Sequence, residues 1–101
     1  MIIIYITCKN KAEARKIAKH LLNKGLIVCA NLFPIESLYL WKKTLQSQKE
    51  YVLILKTEKN KYKQIQKEIK ALHSYKTPCI IKLAVTANKE YQQWIKQTIN
   101  N

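Results

Sequence analysis

The stretch Ala30-Asn31-Leu32-Phe33-Pro34-Ile35-Glu36-Ser37-Leu38-Tyr39-Leu40-Trp41 limits the possible folds more than any other part of the chain. It is extended in pattern, apolar, and longer than the usual strand of about 5–6 residues. Alternation puts Phe33, Ile35, Ser37, Tyr39 and Trp41 on one face and Leu32, Leu38 and Leu40 on the other. A strand half open to water alternates polar with apolar, whereas here both faces are claimed. Pro34 has no donor for a sheet ladder, which predicts a split into a strand from Val28 to Phe33 and an arm from Ile35 to Lys42. Such an arm exposes a ladder edge and two aromatic rings, so another chain is expected to cover it and the protein to self-associate.

The flanking segments supply the rest of an α+β domain. Ile2-Ile3-Ile4-Tyr5-Ile6-Thr7 is β-branched and apolar on both faces, as a central strand is. Asn10 is a helix N-cap with Glu13 completing a box-like start, and Ala14, Ile17, Ala18, Leu21 and Leu22 then recur at helical spacing. Gly25 ends that helix, where a left-handed residue is wanted. Lys43 to Lys49 reads as a polar turn, and Tyr51-Val52-Leu53-Ile54-Leu55 as a strand. A second helix carries the stripe Tyr62, Ile65, Ile69 and Leu72. Pro78 ends the turn after it, and Cys79, Ile81, Leu83 and Val85 alternate in a last strand. A short helix from Asn88 is expected to bury Tyr91, Trp94, Ile95 and Ile99. The order predicts a ferredoxin-like βαββαβ plait with a long hairpin arm and an extra C-terminal helix, in one domain over residues 1–101. One sheet face of a lone subunit stays apolar and open, a second reason to expect an oligomer.

The formal net charge of +13 attracts polyanions. All basic residues except Arg15 are lysine, and they are spread along the chain, so compositional bias outweighs a dedicated nucleic-acid surface. An RNA-recognition plait would also show spaced aromatics in the strand that here reads Tyr51 to Lys56. Nucleic acid is therefore expected only as a nonspecific charge effect. Cys8, Cys29 and Cys79 form an odd set with no C-x-x-C spacing, which argues for reduced thiols rather than a disulfide framework. With no stretch of about 20 apolar residues to span a membrane, the expected location is cytoplasmic.

The signature residues resemble the CutA family of divalent-cation tolerance proteins from about Tyr5 to Trp94. The pieces that carry the resemblance are Ala14 with Ile17-Ala18, Cys29-Ala30-Asn31-Leu32 with Pro34, and Ser37-Leu38-Tyr39-Leu40-Trp41. Glu50, Lys56-Thr57, the segment His73, Tyr75, Pro78, and Tyr91 with Trp94 follow in order. The resemblance implies a compact homotrimer whose arms pair across subunits, and a role in tolerance to copper and other divalent cations. The metal ligands it implies fall on Ile6, Leu72 and Cys79, with His73 adjacent, so that set is not inherited intact. The family also places a glycine soon after the tryptophan, where Lys42 and Lys43 stand.

Two constellations are candidate sites. His73 and Cys79 pair an imidazole with a thiol, both suited to copper or zinc, although a tight site needs further ligands. Ser37, Tyr39, Trp41, Glu50, Lys56 and Tyr75 suit either a small anionic or planar ligand in a cleft or a trimer interface. Glu50 is the expected partner of Lys56. The inventory has no Asp, no Ser-His-acid pattern and no phosphate-binding glycine loop, so no enzyme is expected.

Overall fold

The structure, a computed structural model, describes residues 1–99. Strand β1 (Ile2–Cys8) is followed by helix α1 (Lys11–Asn23), then by strands β2 (Cys29–Trp41) and β3 (Thr44–Thr57). After a 3-10 turn at Lys59–Lys61 come helix α2 (Tyr62–Leu72), strand β4 (Ile80–Ala84) and helix α3 (Lys89–Ile99). The sheet is antiparallel throughout, in the order β2-β3-β1-β4. This is the expected plait.

In β1, Ile2, Ile4, Ile6 and Cys8 face inward and alternate with half-buried residues on the other face. The inward set packs with Leu53 and Leu55 of β3, Ala14, Ile17, Ala18 and Leu21 of α1, and Ile65 and Ile69 of α2. Each fully buried Ile or Leu in this layer contributes roughly 1.5–3 kcal/mol. Helix α1 starts on the Asn10 side chain, which accepts from the Glu13 backbone N–H at 2.9 Å. It ends in a Schellman motif, with Leu26 N–H donating to Leu21 O and Gly25 N–H to Leu22 O, both at 3.0 Å.

Helix α3 lies on the opposite sheet face. Lys56, on that face, donates from Nζ to Tyr91 Oη at 3.3 Å. Val52 and Ile95 are fully buried yet stand outside the main core. The cover is partial: Trp94, expected to be buried, is 45% exposed, and Ile81 and Leu83 are also open to solvent.

Two sequence expectations about the arm need correction. Pro34 does not split the stretch, because β2 is an edge strand and Pro34 stands opposite Tyr51 within an unbroken ladder. At an edge, the position lacking N–H can face outward and cost no ladder bond. Nor is the segment from Lys43 to Lys49 a loop. Leu45, Gln46, Ser47 and Gln48 pair with Leu40, Tyr39, Leu38 and Ser37, which leaves a two-residue turn at Lys42-Lys43. Both turn residues have positive φ, 50° and 64°. That is the hairpin geometry asparagine and glycine favour.

The two left-handed sites predict stability changes of opposite sign. Gly25 has φ +68° and open space where a Cβ would stand, so Gly25→Ala should cost about 1 kcal/mol through backbone strain alone. Lys42→Asn with Lys43→Gly should stabilise by a similar amount. Urea midpoints at fixed protein concentration check both, and equal shifts of one sign would contradict the assignment.

Candidate functional site

The end of β1, the start of α1 and the loop after α2 converge on Cys8, Glu13 and His73. All three are buried, and their ligand-type atoms lie within 4.8 Å of one another. Glu13 Oε1 accepts from the Lys9 backbone N–H and Oε2 from that of Ser74, each at 2.9 Å. His73 Nδ1 accepts from the Tyr75 backbone N–H at 3.0 Å. That fixes the proton on Nε2, which donates to Thr7 O at 2.8 Å. Burial, reinforced by the Glu13 and Glu50 carboxylates, pushes the Cys8 thiol up to about 12.

These residues do not fit a resident metal. Both imidazole nitrogens already hold hydrogen bonds, Nδ1 as an acceptor and Nε2 as a donor, and each Glu13 oxygen accepts from a backbone N–H, so no imidazole lone pair is free for an ion. Among the described residues no buried side-chain nitrogen or oxygen lacks a partner. Cys79 is not part of the cluster; it stands near the cleft described next, its thiol also raised by burial and by Glu50. The cluster is a structural clamp. Burial disfavours the Glu13 carboxylate, but the Ser74 and Lys9 hydrogen bonds outweigh it, leaving Glu13 below its usual value.

Beside the clamp opens a cleft of about 760 Å³, lined by Ser37, Tyr39, Trp41, Gln48, Glu50, Tyr75 and Cys79 among others. Its polar groups form one chain. Tyr39 Oη donates to Gln48 Oε1 at 2.9 Å, Gln48 Nε2 to Tyr75 Oη at 3.4 Å, and Tyr75 Oη to Glu50 Oε2 at 2.7 Å. Burial and the bond to Glu50 raise the Tyr75 phenol, so it stays protonated. The cleft offers hydrogen-bond donors, acceptors and aromatic faces. Most of the second constellation is thus brought together, but Lys56 is not. It sits with Tyr91 at α3, its Nζ 5.2 Å from that ring, and the expected Lys56–Glu50 pair is replaced by Tyr75–Glu50. Glu13 and Gln48 were not singled out from sequence as site residues. Glu13 has the pattern of an ordinary cap, and Gln48 falls in a segment with the pattern of a loop.

The family model described as CutA1 divalent ion tolerance protein matches residues 2–98. The chain belongs to this family. The divalent-cation tolerance protein CutA of Archaeoglobus fulgidus is 41% identical over 97 residues, covering 95% of each chain. That of Thermotoga maritima is 39% identical over 100 residues, covering 98% of this chain and 99% of the relative. The solved structure of CutA1 from Pyrococcus horikoshii aligns with TM-score 0.91 at 35% identity over 97% of each chain. A solved Archaeoglobus fulgidus structure aligns with TM-score 0.93 at 40% identity, covering 98% of this chain and 99% of that one. It is described as the periplasmic divalent cation tolerance protein CutA, which overturns the expectation of a cytoplasmic location for a CutA chain of this kind. Among the described residues no helix is long and apolar enough to cross a membrane.

The clamp predicts a pH signature. A carboxyl held below its unfolded value contributes stability that is present above that value and lost as pH falls through the folded one. Glu13→Gln should therefore destabilise at neutral pH by about 2 kcal/mol. The gap to the parent should close as pH drops below the ordinary value of 4.5. Urea midpoints from pH 7 to pH 3 check this, and a gap independent of pH would contradict it.

Proposed function

We propose that this chain acts in the response to divalent cations, copper among them, as a non-catalytic homotrimer working through what its cleft and arm bind. The observation that carries the reading is the match to the CutA1 family across residues 2–98. Self-association is supported by the arm: Leu40 is 73%, Leu45 70% and Trp41 62% exposed on a two-stranded ribbon. Such a ribbon is marginal in water by itself and gains from a covering chain. A binding role is supported by the protonation states at the site. The Tyr75 phenol and the Cys8 and Cys79 thiols are held toward their protonated forms, and the His73 imidazole is committed at both nitrogens, which favours binding over nucleophilic chemistry at these groups. Copper or zinc held jointly by His73 and Cys79 would require His73 to release Thr7 or Tyr75. The proposed role therefore uses no ion at His73.

Native mass spectrometry, without metal and after addition of copper or zinc, tests the whole reading. The expected result is a trimer whose metal uptake, if any, is unchanged by His73→Ala. A monomer would overturn the self-association. Uptake of one ion per subunit that disappears in His73→Ala would overturn the reading of the clamp.

A further inference from the structure

We propose that the outward faces of α1 and α2 together form a docking surface for the phosphate backbone of duplex nucleic acid, without base readout. The lysines look scattered in the sequence, but folding gathers a set of them. Because Ala14, Ile17, Ala18 and Leu21 face the core, Lys11, Arg15, Lys16 and Lys19 all point outward, around an open groove of about 530 Å³. On α2, burial of Ile65 and Ile69 turns Lys63, Lys67 and Lys70 outward in the same way. The two helices are tied side by side by His20 Nε2 and Glu68 Oε1 at 2.6 Å, so the two rows of cations share one layer.

One carboxylate, Glu68, stands in that layer, and none pairs with its outward cations. Glu13 is buried on backbone N–H groups, and Glu68 is held by His20 and Lys24. Glu50 accepts from Tyr75, Glu58 pairs with the amino terminus, Glu36 accepts from Ser47 and Glu90 from Asn88. Among the described residues none of the outward cations of α1 or α2 named above forms an ion pair. Seven of the chain's nineteen basic residues thus stand on this face, none of them in an ion pair.

The pattern favours a regular polyanion. Cations four residues apart on a helix repeat every ~6 Å along its axis, and duplex DNA carries one charge per ~1.7 Å. A membrane surface would call for apolar residues between the cations. Here the large exposed hydrophobics lie on β2, β3, β4 and α3, with Leu22 at the far end of α1. Arg15 is the sole arginine, and the groove on α1 has no aromatic lining, so contacts position the duplex and do not read its sequence.

The test compares two triple variants with the same charge change in the full-length protein. One is Lys11→Gln, Lys16→Gln, Lys19→Gln on α1; the other is Lys42→Gln, Lys43→Gln, Lys49→Gln on the arm. Affinity for a short fluorescein-labelled DNA duplex is followed by anisotropy from about 50 to about 200 mM salt. The parent should bind with a steep salt dependence that does not change with duplex sequence. The α1 variant should weaken binding at least tenfold at low salt and flatten the log–log slope by about 2–3, at ~0.9 per phosphate contact. The arm variant should change the slope by less than about 1. Equal losses in both variants would reduce the effect to net charge and overturn the surface, as would a parent that does not bind. Tighter capture by phosphatidylserine vesicles than by the duplex, lost in the α1 variant, would assign the surface to membranes instead and overturn the nucleic-acid proposal.

Discussion

The ladder between β2 and β3 runs from the pair Cys29–Lys56 out to Trp41–Thr44, while β1 backs β3 only from Thr57 to Tyr51. Beyond Tyr51 the ladder has no third strand and no helix layer behind it. The cleft and the exposed arm both depend on that mismatch in length. The inner half builds a conventional core, and the outer half carries Tyr39, Trp41, Gln46 and Gln48 away from it to form one wall of the cleft. Because successive side chains alternate, the same ladder sets Leu38, Leu40 and Leu45 on the reverse face of the arm. A register shift of one residue would exchange the two surfaces.

The opposite wall of the cleft is held by a single carboxylate. Glu13 ties the loop before α1 to the loop after α2 through the backbone N–H groups of Lys9 and Ser74. His73 extends the connection to Thr7 and Tyr75, and Tyr75 delivers it to Glu50 at the base of the arm. Secondary structure alone would leave the segment from His73 to Cys79 free to move relative to the arm. The buried polar chain fixes it, since each broken link would strand a desolvated group.

Much of this was legible in the sequence, and the exceptions share a cause. The strands, both major helices, the Asn10 cap, the Gly25 stop and the plait topology follow from local periodicity and cap chemistry. The length of β3 did not, because Gln46, Ser47 and Gln48 have loop composition and become strand only by pairing with an apolar β2. Pro34 misled for the converse reason: its meaning depends on whether the strand is an edge, a tertiary fact. At the site, Tyr39, Trp41, Glu50 and Tyr75 form one group by residue type and line one cleft. Lys56 was grouped with them by residue type, but its position near the far end of β3 sends it to Tyr91. Of the clamp, His73 stands out in the sequence but next to Cys79, and Cys8 stands only among the free thiols. Its third member was hidden because a carboxylate at the third position of a helix looks the same whether it caps the helix or holds a distant loop.

The turn at Lys42-Lys43 has a consequence for how the subunit reaches this structure. Two lysines in left-handed conformations, carrying like charges, make a poor nucleus for a hairpin, so the tip does not start the arm. Closure has to propagate outward from the sheet, beginning where Leu53 and Leu55 are already anchored in the core, and each added pair lowers the entropy cost of the next. The arm is then the last part of the ladder to zip. Any chain that covered the arm would therefore meet a ribbon whose base is set before its tip.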